Sequence, residues 1–208
     1  MSTSVVARPR RKQEERSRTT RAALIEAAQC LFAERGYASV STEDIVSAAG
    51  VTRGALYHHF DDKRDLFRAL FEEVERKLTE EIARAIRAAG DPASGVAAGI
   101  ATFLDICERP DVVRLALTEA PAVLGWAEWR SIEARHGLGL IQATLESSAT
   151  EGVLTSAQPD LLAHLILSAM IEAALYIAHA PERRSARIAA ERGLQALMSG
   201  LSSGATPH

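Results

Sequence analysis

The stretch from Ser41 to Lys63, STEDIVSAAGVTRGALYHHFDDK, contains two short helical patterns on either side of a glycine. The first pattern begins with acidic residues, which the helix dipole stabilises there, and its apolar residues share one side. Gly50 follows the last apolar position, where a left-handed backbone is least costly for glycine. Thr42 and Thr52 are each placed to cap a helix. The stretch therefore predicts two short helices joined by a tight turn.

The second of these helices has two different faces. Leu56 and Phe60 are four residues apart and predict a buried face. Arg53, Tyr57 and His58 point elsewhere and carry hydrogen-bond donors suited to phosphates and base edges. Two helices of this kind, with the second lying in a DNA major groove, form a helix-turn-helix.

A purely structural interpretation remains open for several of these residues. Thr42 and Thr52 could act only as caps, and Tyr57 could be a half-buried packing residue. Lys63 could be an ordinary surface lysine. Because it lies near a helix start, where the dipole opposes a cation, a phosphate partner explains it better.

The histidines do not predict a metal site. His58 and His59 are adjacent and point in different directions on a helix, so they cannot readily share one ion. Further along, His164, Glu172 and His179 are interpreted as polar groups at a core edge, a cavity or an interface. We expect no metal ion and no cofactor.

The segment resembles the TetR family of bacterial transcriptional repressors. The matching residues are Thr42, the Ile45-Val46 pair, AAGVT at 48–52, GALYHHF at 54–60 and Lys63. A further run, from Ala22 to Tyr37, resembles the first helix of the family, so the resemblance covers about residues 18–71.

The resemblance also implies which residues contact DNA. Carried over by position, these are Thr42, Thr52, Arg53, Gly54, Tyr57, His58, His59 and Lys63. Glu43 departs from relatives that have a basic or polar residue there, and its charge would repel phosphate.

The overall composition predicts an all-α globular protein in the cytoplasm. Of 208 residues, 47% are hydrophobic and only 5% aromatic, and alanine is abundant, which favours helix over sheet. No apolar run approaches the roughly 20 residues of a membrane helix, and the polar N-terminus does not resemble a signal peptide. Cys30 and Cys107 are predicted to be buried thiols rather than a disulfide.

The charges are unevenly distributed. Residues 1–68 contain 12 basic and 9 acidic residues, whereas residues 69–208 contain 12 and 18. The positive charge therefore lies at the helix-turn-helix end, as phosphate binding requires. Residues 1–16 are interpreted as a flexible basic arm that contacts DNA when bound, and Arg18 and Arg21 are candidate contacts beyond it. The alternative is a solvated tail without contacts.

About nine helices are expected in four regions. These are the arm at 1–16, a three-helix helix-turn-helix domain at 17–64, a larger helical ligand-binding and dimerisation domain at 65–200, and a flexible tail at 201–208. The first helix should run from 17 to 35, and a long helix should follow Asp62 to about Gly90, acting as a lever between the domains. Further helices are predicted at 94–108, 111–118, 122–151, 159–180 and 183–200, with a break at Pro121.

The larger domain contains candidates for a ligand pocket. Trp126 and Trp129 are three residues apart in a chain that is poor in aromatic residues, so they could line a pocket for an apolar or aromatic inducer or could simply fill the core. The candidate ligand residues are Phe103, Cys107, Leu117, Trp126, Trp129, His136 and Tyr176.

The last two predicted helices are apolar over much of their circumference, which requires cover on several sides. We expect them to pair with a second copy of the chain in a four-helix bundle. The candidate interface residues are Leu162, Ile166, Ala169, Met170, Ala173, Ile177, Leu194 and Leu197.

Together these features favour a homodimeric transcriptional regulator, most readily a repressor, that binds palindromic double-stranded operator DNA and is released by a small-molecule inducer. An enzyme is disfavoured, because no nucleophile motif, phosphate loop or metal-ligand cluster is found. A sequence-indifferent architectural DNA binder is the alternative, although the acidic larger domain argues against it.

Overall fold

A computed structural model describes residues 7–150 and 159–203 of the chain, and gives side-chain surroundings for 13–147 and 159–200. Within these ranges the chain forms nine helices and no strand, as the composition predicted. The helices are α1 (Ala7–Arg35), α2 (Thr42–Ala49), α3 (Arg53–His59), α4 (Lys63–Ala88), α5 (Pro92–Cys107), α6 (residues 110–124), α7 (Trp126–Thr150), α8 (Pro159–His179) and α9 (Arg183–Ser203).

The chain divides into two compact units, Met1–Phe71 and Glu72–His208, and the division falls within α4. In the first unit α1 packs on α2 and α3, and the first turns of α4 complete the core. The buried residues of this core include Leu24, Ala28, Phe32, Val40, Ile45, Leu56, Phe60, Leu66, Phe67, Leu70 and Phe71. The predicted boundary after residue 64 stays a prediction.

Helix α1 begins earlier than predicted. It starts at Ala7, ten residues before the predicted start, so residues 7–16 of the expected arm are helical. Arginine, lysine, glutamine, glutamate and alanine dominate this segment and are all good helix formers, although none of them contributes an apolar stripe. The periodicity of apolar residues therefore predicted only the part of α1 that packs on other helices, from residue 17 onward. Residues 1–6 of the arm lie outside the described residues.

Helix α6 shows a second difference, because Pro121 does not end it. The helix is continuous over residues 110–124, and Val113–Glu119 adopts the wider π-helical turn immediately before the proline. A π-helical turn changes the hydrogen-bond register, so a residue without an N–H is tolerated there. The break comes instead at Gly125, whose φ of 82° is left-handed.

Helix α8 contradicts the prediction about apolar runs. Its 21 residues are long and apolar enough to cross a membrane by length and composition, although 28% of its most apolar window is buried within the protein. One side carries the buried residues Ala163, Leu167, Ile171, Ala174 and Ile177. The other side exposes the polar residues Ser168 and Glu172 and also Leu161, Leu165 and Tyr176. We interpret it as a core helix of the second unit, which packs between α7 and α9.

The predicted tail at 201–208 falls mostly outside the described residues. Helix α9 continues to Ser203, and residues 204–208 are not described.

Candidate DNA-binding surface and ligand cavity

Helix α2 is capped by Ser41 and not by Thr42, which is the first helical residue. The Ser41 hydroxyl accepts a hydrogen bond from the Asp44 N–H at 3.1 Å, and the Asp44 carboxylate accepts one from the Ser41 N–H at 2.9 Å. This reciprocal pair is a capping box, which satisfies two helix-end donors. Gly50 ends the helix in the left-handed conformation with a φ of 65°, as predicted.

Helix α3 shows the two faces that the sequence predicted. Thr52 caps it, since its hydroxyl accepts a hydrogen bond from the Ala55 N–H at 3.2 Å. Leu56 and Phe60 are buried. The exposed residues of the opposite face are Thr52, Arg53, Gly54, Tyr57 and His58, and Tyr57 is 45% exposed. Five predicted DNA contacts therefore lie on one accessible surface.

Arg53 is held by two neighbours on this surface. Its Nη1 lies 2.8 Å from Glu43 Oε1, and its guanidinium lies 5.5 Å from the centre of the Tyr57 ring. A hydrogen bond with Tyr57 and the charge of Glu43 raise the pKa of Arg53. Glu43 therefore pairs with a predicted DNA contact across the two helices, which its sequence position alone did not reveal.

Lys63 points to the loop between α1 and α2. Its Nζ donates hydrogen bonds to the carbonyl oxygens of Tyr37 at 2.9 Å and Val40 at 2.8 Å. It also lies 4.1 Å from the centre of the Tyr37 ring, a cation–π contact. Two of its three donors thus stabilise the turn that precedes α2. A phosphate contact by Lys63 stays a prediction and would use the third.

The remaining predicted DNA contacts differ in exposure. Arg18 is exposed, and its Nε donates to the Glu14 carbonyl oxygen at 3.5 Å. His59 is partly buried, and burial together with His58 and Arg21 lowers its pKa. The guanidinium of Arg21 lies 5.2 Å from the Phe60 ring. The lowered pKa favours the neutral imidazole of His59, which suits a neutral hydrogen bond better than an ion pair with phosphate.

The second unit contains a cavity of about 390 Å³, partly open to solvent, within the part of the chain that the structure describes. Such a volume is typical of pockets for small organic molecules. Its walls come from α4 to α9 and are mainly aliphatic; they include Leu78, Ile82, Ile86, Ile100, Phe103, Ile106, Cys107, Leu117, Leu140, Leu145, Ile166 and Met170. The predicted ligand residues Phe103, Cys107 and Leu117 are among them.

The other four predicted ligand residues lie outside this lining, which corrects the interpretation of the tryptophans. Trp129 is completely buried, whereas Trp126 is 60% exposed, so they share no pocket although their ring centres are 4.7 Å apart. Trp126 is the first residue of α7. Tyr176 is 58% exposed, and His136 is partly buried away from the cavity.

The predicted dimer residues also contribute to the interior of one chain, and their part in a dimer stays a prediction. Six of them line the cavity: Leu162, Ile166, Ala169, Met170, Leu194 and Leu197. Ala173 and Ile177 belong to a core cluster around Leu104. The apolar face of these helices was correctly recognised, but periodicity cannot tell a partner subunit from the rest of the same unit. The exposed large hydrophobic residues of α8 and α9 are Leu161, Leu165, Tyr176, Ile188 and Leu197.

Two acidic residues of the cavity wall were missed by the sequence interpretation. Glu75 and Glu133 both line the cavity. Burial raises the pKa of Glu75 to about 7, and burial together with the charge of Glu75 raises the pKa of Glu133 to about 8. The signal was present in the spacing, since Glu75 precedes Leu78, Ile82 and Ile86 on the apolar face of α4.

Cys107 is buried as predicted, but Cys30 is exposed, and both thiols are free. Among the described residues, no group of three or more histidine, cysteine or acidic side chains is placed to hold a metal ion.

A capped helix pair with an outward face of donors defines the class of this protein: it is a helix-turn-helix DNA-binding protein with a separate cavity-bearing helical unit. Two family descriptions match it. Residues 24–70 match "Bacterial regulatory proteins, tetR family", and residues 93–201 match "Tetracyclin repressor-like, C-terminal domain".

Known proteins agree with this classification. A TetR-family transcriptional regulator from Pectobacterium atrosepticum is 32% identical, with 93% of this chain and 98% of that chain covered and a TM-score of 0.82. The Transposon Tn10 TetC protein of Escherichia coli is 27% identical over 161 residues, which are 74% of this chain and 78% of TetC. The regulator AcrR of Shigella flexneri is 41% identical over 85 residues, 40% of each chain.

The chain belongs to the TetR family and is a DNA-binding transcriptional regulator. This confirms the resemblance first noted in residues 18–71. The family and its named regulators act on transcription and are not enzymes.

Proposed function

We propose that this protein is a homodimeric repressor that binds a palindromic operator and releases it when a small molecule fills the cavity of the second unit. The observation that carries the proposal is that one chain has both an accessible donor surface on α3 and an apolar cavity of about 390 Å³. The family description of residues 93–201 as similar to the tetracycline repressor also supports repression. We expect the protein in the cytoplasm, where DNA is accessible.

DNA contact is proposed for the residues predicted from the sequence, which are Arg18, Thr42, Thr52, Arg53, Gly54, Tyr57, His58, His59 and Lys63. Support is strongest for Arg53 and Tyr57, because both are exposed at the start and middle of α3. Phosphate would compete with Glu43 for the Arg53 guanidinium, since a charge-assisted hydrogen bond to either acceptor is possible.

Dimerisation is proposed through α8 and α9, which pack against each other. Their exposed apolar residues support this, above all Leu161 and Leu165 on one face of α8 and Ile188 on α9. A two-fold axis would place these residues against their own copies, as in other symmetric dimers. Such a dimer positions two α3 helices for half-sites about one helical turn of DNA apart.

Release follows if the inducer binds more tightly to the conformation that does not fit the operator. A ligand shifts a conformational equilibrium only by its difference in affinity for the two states. The cavity wall includes residues from α4, the helix that begins in the DNA-binding unit, so filling the cavity acts on a helix common to both units.

DNase I footprinting of the region upstream of the protein's own gene tests this proposal, with the mass of the free protein measured by light scattering. We expect a two-fold symmetric protected site and a mass twice that of the 22.4 kDa chain. A monomer, or protection without sequence boundaries, contradicts the proposal. The second result would favour the architectural DNA binder.

A further inference from the structure

Two carboxylic side chains interrupt the apolar wall of the cavity. Glu75 comes from α4 and Glu133 from α7, and most of the wall around them is aliphatic. Neither lysine nor arginine lines the cavity in the residues that the structure describes. The cavity is therefore acidic as well as apolar.

Helical spacing places both acids in the wall. Glu75 shares the cavity face of α4 with Leu78 and Ile82, and Glu133 shares that of α7 with Gly137. Glu133 is only 7% exposed. Removing a carboxylate from water is costly unless it is paired, so aliphatic residues would suit both positions better if they served packing alone.

The protein itself supplies little compensation for these acids. Glu133 Oε2 accepts a long hydrogen bond of 3.4 Å from Arg130 Nη1, and the same guanidinium donates to Ser168 Oγ at 3.2 Å. Glu75 has no hydrogen bond or ion pair with any described residue. The negative charge near Glu75 comes from Glu133, which adds repulsion. Among the described residues, one acid is thus weakly paired and the other has no partner.

The thiol of Cys107 offers a different ligand chemistry, which the structure disfavours. Cys107 lines the same cavity, but burial and the charges of Glu75, Glu133 and Glu108 raise its pKa to about 12. A protonated thiol is a poor nucleophile, so covalent capture of an electrophile is not favoured at neutral pH.

We propose that the cavity selects lipophilic amines, whose ammonium group pairs with Glu75 and Glu133 while the apolar part fills the aliphatic wall. This rests on the proposed function, because it names the ligand class of the same cavity. An organic anion would face two carboxyl groups, and a neutral molecule would leave them without a counter-charge. An ammonium group donates to both acids and compensates their charge.

The test compares three headgroups on common skeletons. Phenylbutyl, decyl and pyrenylmethyl compounds, each bearing an ammonium, hydroxyl or carboxylate group, are titrated into the full-length protein at pH 8. We expect at least one amine to bind about 10-fold or more tighter than its matched alcohol and carboxylate. In Glu75→Gln/Glu133→Gln this preference should fall to about 2-fold or less, while exposed Glu182→Gln keeps it.

Affinity for the amine should also rise with pH as the two carboxyl groups ionise. The charged and titratable groups near them are Glu75 of α4, Cys107 of α5, Glu108 directly after α5, and Arg130 and Glu133 of α7. The pKa values of Glu75, about 7, and Glu133, about 8, are reached between pH 6 and 8, whereas that of Cys107 is raised to about 12. Glutamine is neutral and similar in size, and the single variant Glu75→Gln gives the same readout if the double variant does not fold.

No binding of any amine, equal binding of amines and alcohols, or a preference that survives in the double variant overturns the ligand class. An operator footprint obtained in the same preparation shows that the proposed function still stands. Loss of the footprint together with intact amine binding would instead contradict the proposed function alone.

Discussion

The two units of this protein place their charged groups in opposite ways. In the helix-turn-helix unit, Arg53 and Glu43 form an exposed pair at 2.8 Å, and Lys63 donates to two carbonyl oxygens. In the cavity unit, Glu133 is buried and Glu75 is partly buried, and both have little pairing. Exposed ion pairs exchange partners at a small cost in free energy. Carboxyl groups in a cavity wall carry a desolvation cost, which a ligand of opposite charge can offset.

This difference matches the two proposed tasks. A DNA-binding face must remain stable with or without phosphate, so its cations keep partners within the protein. A ligand cavity gains selectivity when its polar groups are incomplete until the ligand arrives. The predictions below test this contrast, beginning with the largest expected effect.

The substitution Phe60→Ala should lower the free energy of unfolding by about 3 to 5 kcal/mol, because a buried aromatic ring is lost from the first unit. Denaturant unfolding measures it. The control is His58→Ala, which changes an exposed residue of α3. It should lower the free energy of unfolding by no more than about 0.5 kcal/mol. Equal effects of both changes would show that α3 does not have the two faces described.

The buried acids should make stability fall as pH rises. Their pKa values in the folded state, about 7 and about 8, lie above the usual value of 4.5, so between these limits the folded protein binds more protons than the unfolded chain. The contribution is fully present below about pH 4.5 and is lost by about pH 8. We expect wild type to lose roughly 2 to 4 kcal/mol over this range relative to Glu75→Gln/Glu133→Gln.

Parallel pH profiles of wild type and the double variant would contradict this prediction and place the two acids in water. The contrast between the units would then disappear. Chemical unfolding at each pH measures both profiles.

Lys63→Met should destabilise the protein by about 1 to 2 kcal/mol, because the carbonyl oxygens of Tyr37 and Val40 lose a charged donor while the apolar stem is retained. Lys77→Met is a matched control, since Lys77 forms only an exposed pair with Glu73 at 3.6 Å. It should cost about 0.5 kcal/mol or less. If Lys63→Met lowers operator affinity without lowering stability, the lysine serves DNA and not the turn.

Tyr57→Phe should lower operator affinity about 3- to 10-fold, as expected for one lost hydrogen bond. The melting temperature should stay within about 1 to 3 °C, because the hydroxyl is on an exposed face. Ser131→Ala removes an exposed hydroxyl from α7 of the second unit, outside the proposed dimer helices, and should leave operator affinity unchanged. A large loss of stability in Tyr57→Phe would make Tyr57 a structural residue.

The first unit was largely predictable from sequence because its features are local. Gly50, the Thr52 cap and the buried pair Leu56 and Phe60 follow from spacing within one or two turns. The cap of α2 was misplaced by one residue, since Ser41 and Thr42 have equivalent side chains. What spacing could not show was the use of Lys63, whose partners lie 23 and 26 residues away.

The second unit was predictable in kind but not in detail. Its helices and apolar faces were recognised, yet six of the eight residues expected at a dimer interface also line the cavity of one chain. A helix such as α8 packs on several neighbours, and sequence periodicity does not assign its sides to them. The tryptophans were chosen as candidates because tryptophan is rare in this chain. Glu75 and Glu133 were not chosen, because their helices contain many other charged residues.

The central claim is that α3 presents a sequence-reading surface for DNA. Its most direct test is the ratio of affinities for the footprinted palindrome and a scrambled duplex of equal length, measured by fluorescence anisotropy at one fixed salt concentration. We predict a ratio of about 1,000 or more, falling sharply in Arg53→Ala. A ratio near one, unchanged in Arg53→Ala, would contradict the account.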